Sequence, residues 1–189
     1  LSLGMNTTGR VDIMDLDGSD FETYIDNPAA LIAGTRRISP LTSGGLLAAK
    51  AAGVEMFNSS LQRVGAAARF ITNGTCTSAV TTDAVEVSIS ESSYVISNNM
   101  AAAVNNKLNL YNGSTGVCIA GATPTGPAVT LWPFAMDYST EQSKLFVLYF
   151  PFTAAVSNAQ IWSFNVSATS ISGGTLVYND IGGNIATTS

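Results

Sequence analysis

An all-β chain folded as a four-bladed β-propeller is what this sequence predicts, and three observations predict it. A strand-and-turn pattern occurs four times at nearly constant spacing, each copy is flanked by further strand-like runs, and the two chain ends complement each other. The copies are "RVDIMDLDGS" from Arg10, "GVEMFNSS" from Gly53, "KLNLYNGS" from Lys107 and "QIWSFNVS" from Gln160. In register, one column holds Val11, Val54, Leu108 and Ile161, and another holds Met14, Phe57, Tyr111 and Phe164. Apolar residues at alternate positions make one face of a strand. The column after them holds Asp15, Asn58, Asn112 and Asn165, turn formers whose side chains bond their own backbone two residues on. Asn112-Gly113 in the third copy is the pair most typical of a tight hairpin.

The neighbours of each copy complete a unit of four antiparallel strands. "ISPLTSGGLLAAKA", "AVEVSISESSYVISNN" and "FAMDYSTEQSKLFVLYF" precede the second, third and fourth copies, each reading as a short strand, a polar turn and a more hydrophobic strand. "DFETYI", "GVCIAGA" and "GTLVYND" follow the first, third and fourth copies as closing strands. Opening strands are expected near Ile38, Val87, Phe134 and Ile185. "LLAAKAAGVEMF" contains good helix formers, but Gly44, Gly45 and Gly53 interrupt them and its second half fits the strand columns, so strands are expected there too.

At the start, "LSLGM" stands directly before the first copy, so the first unit lacks an opening strand; at the end, "NIATTS" matches an opening strand with nothing after it. Joined, they complete the unit, as in rings that lend a C-terminal strand to the N-terminal blade and leave no free edge at the seam. The expectation is one domain over residues 1–189, with blades at 185–189 plus 1–35, 36–82, 83–130 and 131–184. A β-sandwich of short strands is the alternative architecture.

The first copy, through Ile13, Met14, Asp15, Asp17, Gly18 and Ser19, resembles the repeat of TolB-type propellers, in which a strand, an Asp-Gly-Ser turn and a second strand recur. The resemblance spans about fifteen residues and implies a fold class only, because propellers serve as enzymes, lectins, adhesins and scaffolds.

Composition narrows the function. Charged residues are 11% of the chain and hydrophobic ones 46%, a balance suited to a secreted or cell-surface β-rich protein. A net charge of -5 with eight basic residues argues against a nucleic-acid partner. Arg36 and Arg37, the one adjacent basic pair, read as a solvated loop. No run reaches the roughly 18 apolar residues that a membrane-spanning helix needs. The start at Leu1, without Met or an apolar leader, fits either a removed signal peptide or an excised piece. Cys76 and Cys118 are a disulfide candidate in an oxidising compartment and otherwise two small buried hydrophobes.

Candidate chemistry is sparse. "DLDGSD" brings Asp15, Asp17 and Asp20 close enough to suggest calcium, although an Asp-Gly turn explains the same residues and no other cofactor is indicated. Asn58, Asn112, Asn165, Asn6 and Asn73 each begin an Asn-x-Ser/Thr sequon and are glycosylation candidates; the first three are also what hairpins select. With no histidine, no Gly-x-Ser-x-Gly and no phosphate loop, acid–base work falls to carboxylates. Glu86, Glu91, Asp137 and Glu141 lie on or beside opening strands, which line the channel of a propeller. Trp162, Tyr149 and Phe150 read as packing between blades, and Trp132, before Pro133 in an expected loop, would suit stacking on a sugar. The expected function is a non-catalytic secreted or surface module for adhesion or self-assembly, partnered by itself, another surface protein or a glycan. The alternatives are a carbohydrate-binding lectin and a glycosidase with two carboxylates about 5 to 10 Å apart.

Overall fold

The computed structural model describes residues 2–5, 10–13, 22–25, 35–50, 53–60, 62–64, 76, 81–99, 108–122, 126–127, 131–151 and 158–180. Among them are fourteen strands and no helix. They are β1 (Ser2–Met5), β2 (Arg10–Ile13), β3 (Glu22–Ile25), β4 (Thr35–Pro40), β5 (Leu46–Lys50), β6 (Gly53–Phe57), β7 (Ala84–Ile89), β8 (Ser92–Asn98), β9 (Leu108–Asn112), β10 (Cys118–Ala122), β11 (Leu131–Ser139), β12 (Lys144–Pro151), β13 (Gln160–Ser167) and β14 (Ser170–Asn179). They form four antiparallel meanders in chain order: β1 to β3, β4 to β6, β7 to β10 and β11 to β14. Four small sheets, where a sandwich would have two, correct the sandwich alternative.

The four repeat copies coincide with β2, β6, β9 and β13, the penultimate strands of the expected units. The uniform expectation of four-stranded blades holds only for the last two sheets; the first two show three strands each among the described residues. In the second sheet, a bridge from Phe57 to Arg63 and a bond from Val64 N–H to the Met56 carbonyl, 2.9 Å, begin a further antiparallel pairing. The segments expected to complete these units, the tail 185–189 among them, lie outside the described residues.

Period-two alternation places the core. Along β7, β8 and β9, Val85, Val87, Ile96, Leu108 and Leu110 face the fourth sheet and meet Leu131, Met136, Leu145, Val147, Tyr149 and Phe164. Their neighbours Ala84, Val95 and Tyr111 turn the other way, onto Leu47, Ala49, Val54 and Met56 of the second sheet. The third sheet is therefore a middle layer with an apolar seam on each face. At roughly 1.5–3 kcal/mol for each large side chain fully buried, the seams hold the sheets together. Cys76 and Cys118 lie at the second seam and are joined as a disulfide with Cα atoms 5.8 Å apart.

Turn geometry departs from the expectation at Asn112-Gly113. Gly113 has no positive φ and the connection is a four-residue loop, with Asn112 N–H donating to the Val117 carbonyl at 3.0 Å. Asn112 Oδ1 accepts the N–H groups of Ser114 and Thr115, and the left-handed residue is Gly116, at φ 67°. Glycine is needed at 113 for closeness, since a Cβ there would lie 2.4 Å from Ser93 Oγ. Asn58 repeats this turn role, its Oδ1 accepting from Ser60 and Gln62 N–H. Asn165 does not: its strand runs on to Ser167, and its Oδ1 accepts from Lys144 Nζ.

The tight hairpin is instead β7–β8, where Ser90 (φ 48°) and Glu91 (φ 64°) join the paired Ile89 and Ser92. Both residues carry the left-handed strain that Asn-Gly tolerates, so replacing Ser90-Glu91 by Asn-Gly is expected to stabilise the protein by about 1 kcal/mol. A thermal melt checks it, with a rise of about 2–4 °C expected.

Candidate functional site

The candidate site lies where the leading strands of the second, third and fourth sheets meet, since β4 packs on β7 and β7 on β11. Arg37 on β4 reads as a solvated loop residue in the sequence, but it is a strand residue whose Nε lies 3.1 Å from Asp83 Oδ1. Its side chain is 46% exposed while that of Asp83 is 0% exposed, so a long cation reaches from solvent to a buried anion. Asp83 Oδ1 also accepts Ala84 N–H at 2.9 Å, and Oδ2 accepts Met136 N–H of β11 at 2.6 Å. One carboxylate thus ties three sheets.

Asn98 braces this junction. Fully buried at the end of β8, it accepts the N–H groups of Thr82 and Asp83 on Oδ1, at 2.9 and 3.0 Å. Its amide donates to Thr82 Oγ1 at 2.6 Å and to the carbonyls of Pro133 and Phe134 at 2.9 and 3.2 Å. Those carbonyls belong to a bulge in β11, where the register with β12 slips between Pro133 and Ala135. The expected loop at Trp132-Pro133 is therefore strand, and Pro133, which cannot donate to a ladder, sits at the bulge as prolines in strands do. Trp132 is half-buried rather than an exposed indole.

The bulge sets the groove beside the junction. Ala135 and Asp137 of β11 pair with Leu148 and Phe146 of β12, and Leu148 pairs with Ile161 of β13, so all five share one face. With Met136 and Arg37 they line a shallow, open groove. Further along the same face Trp132 pairs with Phe150, whose ring meets Phe134 edge-on at 5.4 Å and 74°. The groove therefore has apolar walls with Arg37 and Asp137 as its charged groups, and an aromatic cluster lies further along the same face.

Burial pushes the Asp83 carboxyl up to about 6. The Met136 N–H, the Arg37 guanidinium and the Ala84 N–H oppose the rise, and the charge of Asp137 adds to it. The folded chain then holds this proton more readily than the unfolded chain, whose Asp titrates near 3.8. The contribution of Asp83 to stability is full below about pH 4, falls as pH rises toward 6 and is flat above, by roughly 2–3 kcal/mol. Urea midpoints at pH 7.5 and 4.5 test this against Asp83→Asn; profiles parallel in the two proteins would refute it.

The other expected carboxylates are occupied or remote. Glu86 accepts Thr42 N–H and Ser93 O–H, each at 2.6 Å, while Glu91 and Glu141 sit in exposed turns. Asp15, Asp17, Asp20, Asn6 and Asn73 lie outside the described residues. Among the described residues no group of three or more His, Cys, Asp or Glu could hold a metal. No helix there is long and apolar enough to cross a membrane.

Solved structures share this fold, two of them as follows. Over 94% of this chain and 44% of the other, it superposes on dihydro-heme d1 dehydrogenase NirN in complex with DHE, with a TM-score of 0.53 and 7% identity. Over 92% of this chain and 27% of the other, it superposes on the GH74 enzyme of Niastella koreensis, with a TM-score of 0.55 and 15% identity. The chain spans less than half of either. No family model matches, the TolB-type repeat included, and no curated protein matches. Both neighbours are propeller-like enzymes, which overturns the expectation of a non-catalytic module for adhesion or self-assembly. At such identities the likeness carries the fold, and the chemistry must be argued from the groove.

Proposed function

We propose that this chain is a glycoside hydrolase acting beside Arg37 in the groove. One observation carries the reading: two carboxylates with opposite surroundings adjoin there, Asp137 exposed on the groove and Asp83 buried behind it, accepting the N–H of Met136, the residue before Asp137. Paired carboxylates whose surroundings separate their proton affinities are what glycoside hydrolysis uses. Asp83 gives its proton to the leaving oxygen as the glycosidic C–O bond breaks. A water adds to the anomeric carbon and passes a proton to Asp137. Arg37, which covers Asp83 from the solvent side, shifts to open the way. The aromatic residues further along the same face, Trp132 and Phe150, supply stacking for a second sugar ring.

The same reading takes the fold as a ring of four blades with the boundaries expected from the repeats. The packing of β1 on β4, β4 on β7 and β7 on β11 supports it, as leading strands succeed one another around an axis. The groove then lies at the seam between the fourth blade and the first. Fluorescence transfer between dyes at the two chain ends tests the ring, and low transfer would remove it. The disulfide supports a place outside the reducing cytoplasm.

Reducing-end release across a panel of polysaccharides and aryl glycosides tests the activity. Asp137→Asn is expected to lower kcat at least a hundredfold with KM and melting temperature little changed. Failure of the unaltered protein to cleave any member overturns the reading. Binding without cleavage, untouched by Asp137→Asn, is the result a lectin would give.

A further inference from the structure

Resting on that reading, we propose that the groove selects an acidic sugar, a hexuronate, whose carboxylate is taken by the terminal nitrogens of Arg37. Arg37 spends Nε on Asp83, and its two remaining nitrogens hold no partner among the described residues while its side chain lines the groove. A guanidinium fixed at one nitrogen and open at two is prearranged for a planar carboxylate, which it binds through paired N–H···O bonds. The rest of the lining cannot serve: Asp137 is itself a carboxylate, and Ala135, Met136, Phe146, Leu148 and Ile161 have no charge to offer.

The charged groups around Arg37 set the pH dependence. Asp83 faces it from the segment before β7 and Asp137 from β11. Glu86 of β7 is held by Thr42 and Ser93, and the residues of β12 and β13 in the groove are uncharged. When Asp83 takes its proton, the positive charge of Arg37 loses its buried counterpart, so an anion binds better on the acid side of about pH 6.

Calorimetric titration of the whole chain with an oligogalacturonate and with a neutral galacto-oligosaccharide of equal length tests this at pH 5 and pH 7.5. The acidic oligomer is expected to bind at least tenfold tighter than the neutral one at pH 5, the preference shrinking at pH 7.5 and in high salt. Arg37→Gln is expected to erase the preference for the acidic oligomer; a melt of the variant checks its fold. Equal affinities in the unaltered protein, or a preference for the neutral oligomer, overturn the inference without any variant being needed. If neutral glycosides are cleaved but acidic ones are not preferred, the hydrolase reading survives and this inference falls. If neither oligomer binds, this inference falls, and the hydrolase reading stands or falls by the polysaccharide panel.

Discussion

Replacing Cys76 and Cys118 together by alanine is expected to lower stability by about 4 kcal/mol, the loop-closure entropy for a bridge spanning 42 residues. For a chain of this size that corresponds to a fall of roughly 8–16 °C in melting temperature. The effect should be large because the bridge does two things. It closes a loop that contains β7, β8 and β9 of the third sheet, and it tethers Cys76, itself 2% exposed, at the seam formed by Leu47, Val54, Met56, Val95 and Tyr111. Calorimetry of the double variant beside the unaltered protein measures it. A melting temperature within a degree or two of the original would mean that the seam alone fixes the segment around Cys76.

Asn98→Leu is expected to cost about as much, by a different route. The substitution preserves volume and removes five hydrogen-bond partnerships from a site with no exposure. The N–H groups of Thr82 and Asp83 and the carbonyls of Pro133 and Phe134 would lose that partner, and each buried group so left costs about 1–3 kcal/mol. Relaxation and Thr82 Oγ1, which still reaches the Phe134 carbonyl at 2.9 Å, should hold the total near 4 kcal/mol. Urea denaturation provides the number, and groove function provides a second readout. Because Asn98 holds both Asp83 and the β11 bulge, the proposed hydrolase activity should fall in kcat on its loss even in conditions where the variant is fully folded. A variant as stable and as active as the parent would show that water replaces the amide without consequence.

The strands were legible because alternation is local: Val85-Val87 and Leu145-Val147-Tyr149 announce a buried face within a few residues. The repeat was legible for the same reason, since "GVEMF" and "QIWSF" impose one pattern on one kind of strand. The junction was hidden because its members are far apart in the chain. Asp83 and Met136 are bonded across 53 residues, and nothing in "TTDAVEV" states that its Asp will be buried. One local signal did exist. Pro133 inside an otherwise strand-like run marks a bulge as readily as a loop, and read so it would have put Phe134 and its carbonyl in the right place. Arg37 looked solvated because a half-exposed arginine and a free one have the same sequence context.

The two-sided third sheet bears on how the chain can be divided. A fragment beginning at Thr81 would bare Ala84, Val95 and Tyr111 to water and carry Cys118 as an odd thiol, inviting precipitation and cross-linking between molecules. A fragment ending before residue 131 would strip the opposite flank, leaving Val85, Val87, Ile96, Leu108 and Leu110 uncovered. Neither cut yields a piece with a sealed surface, so the second, third and fourth meanders should melt in one step and be expressed together.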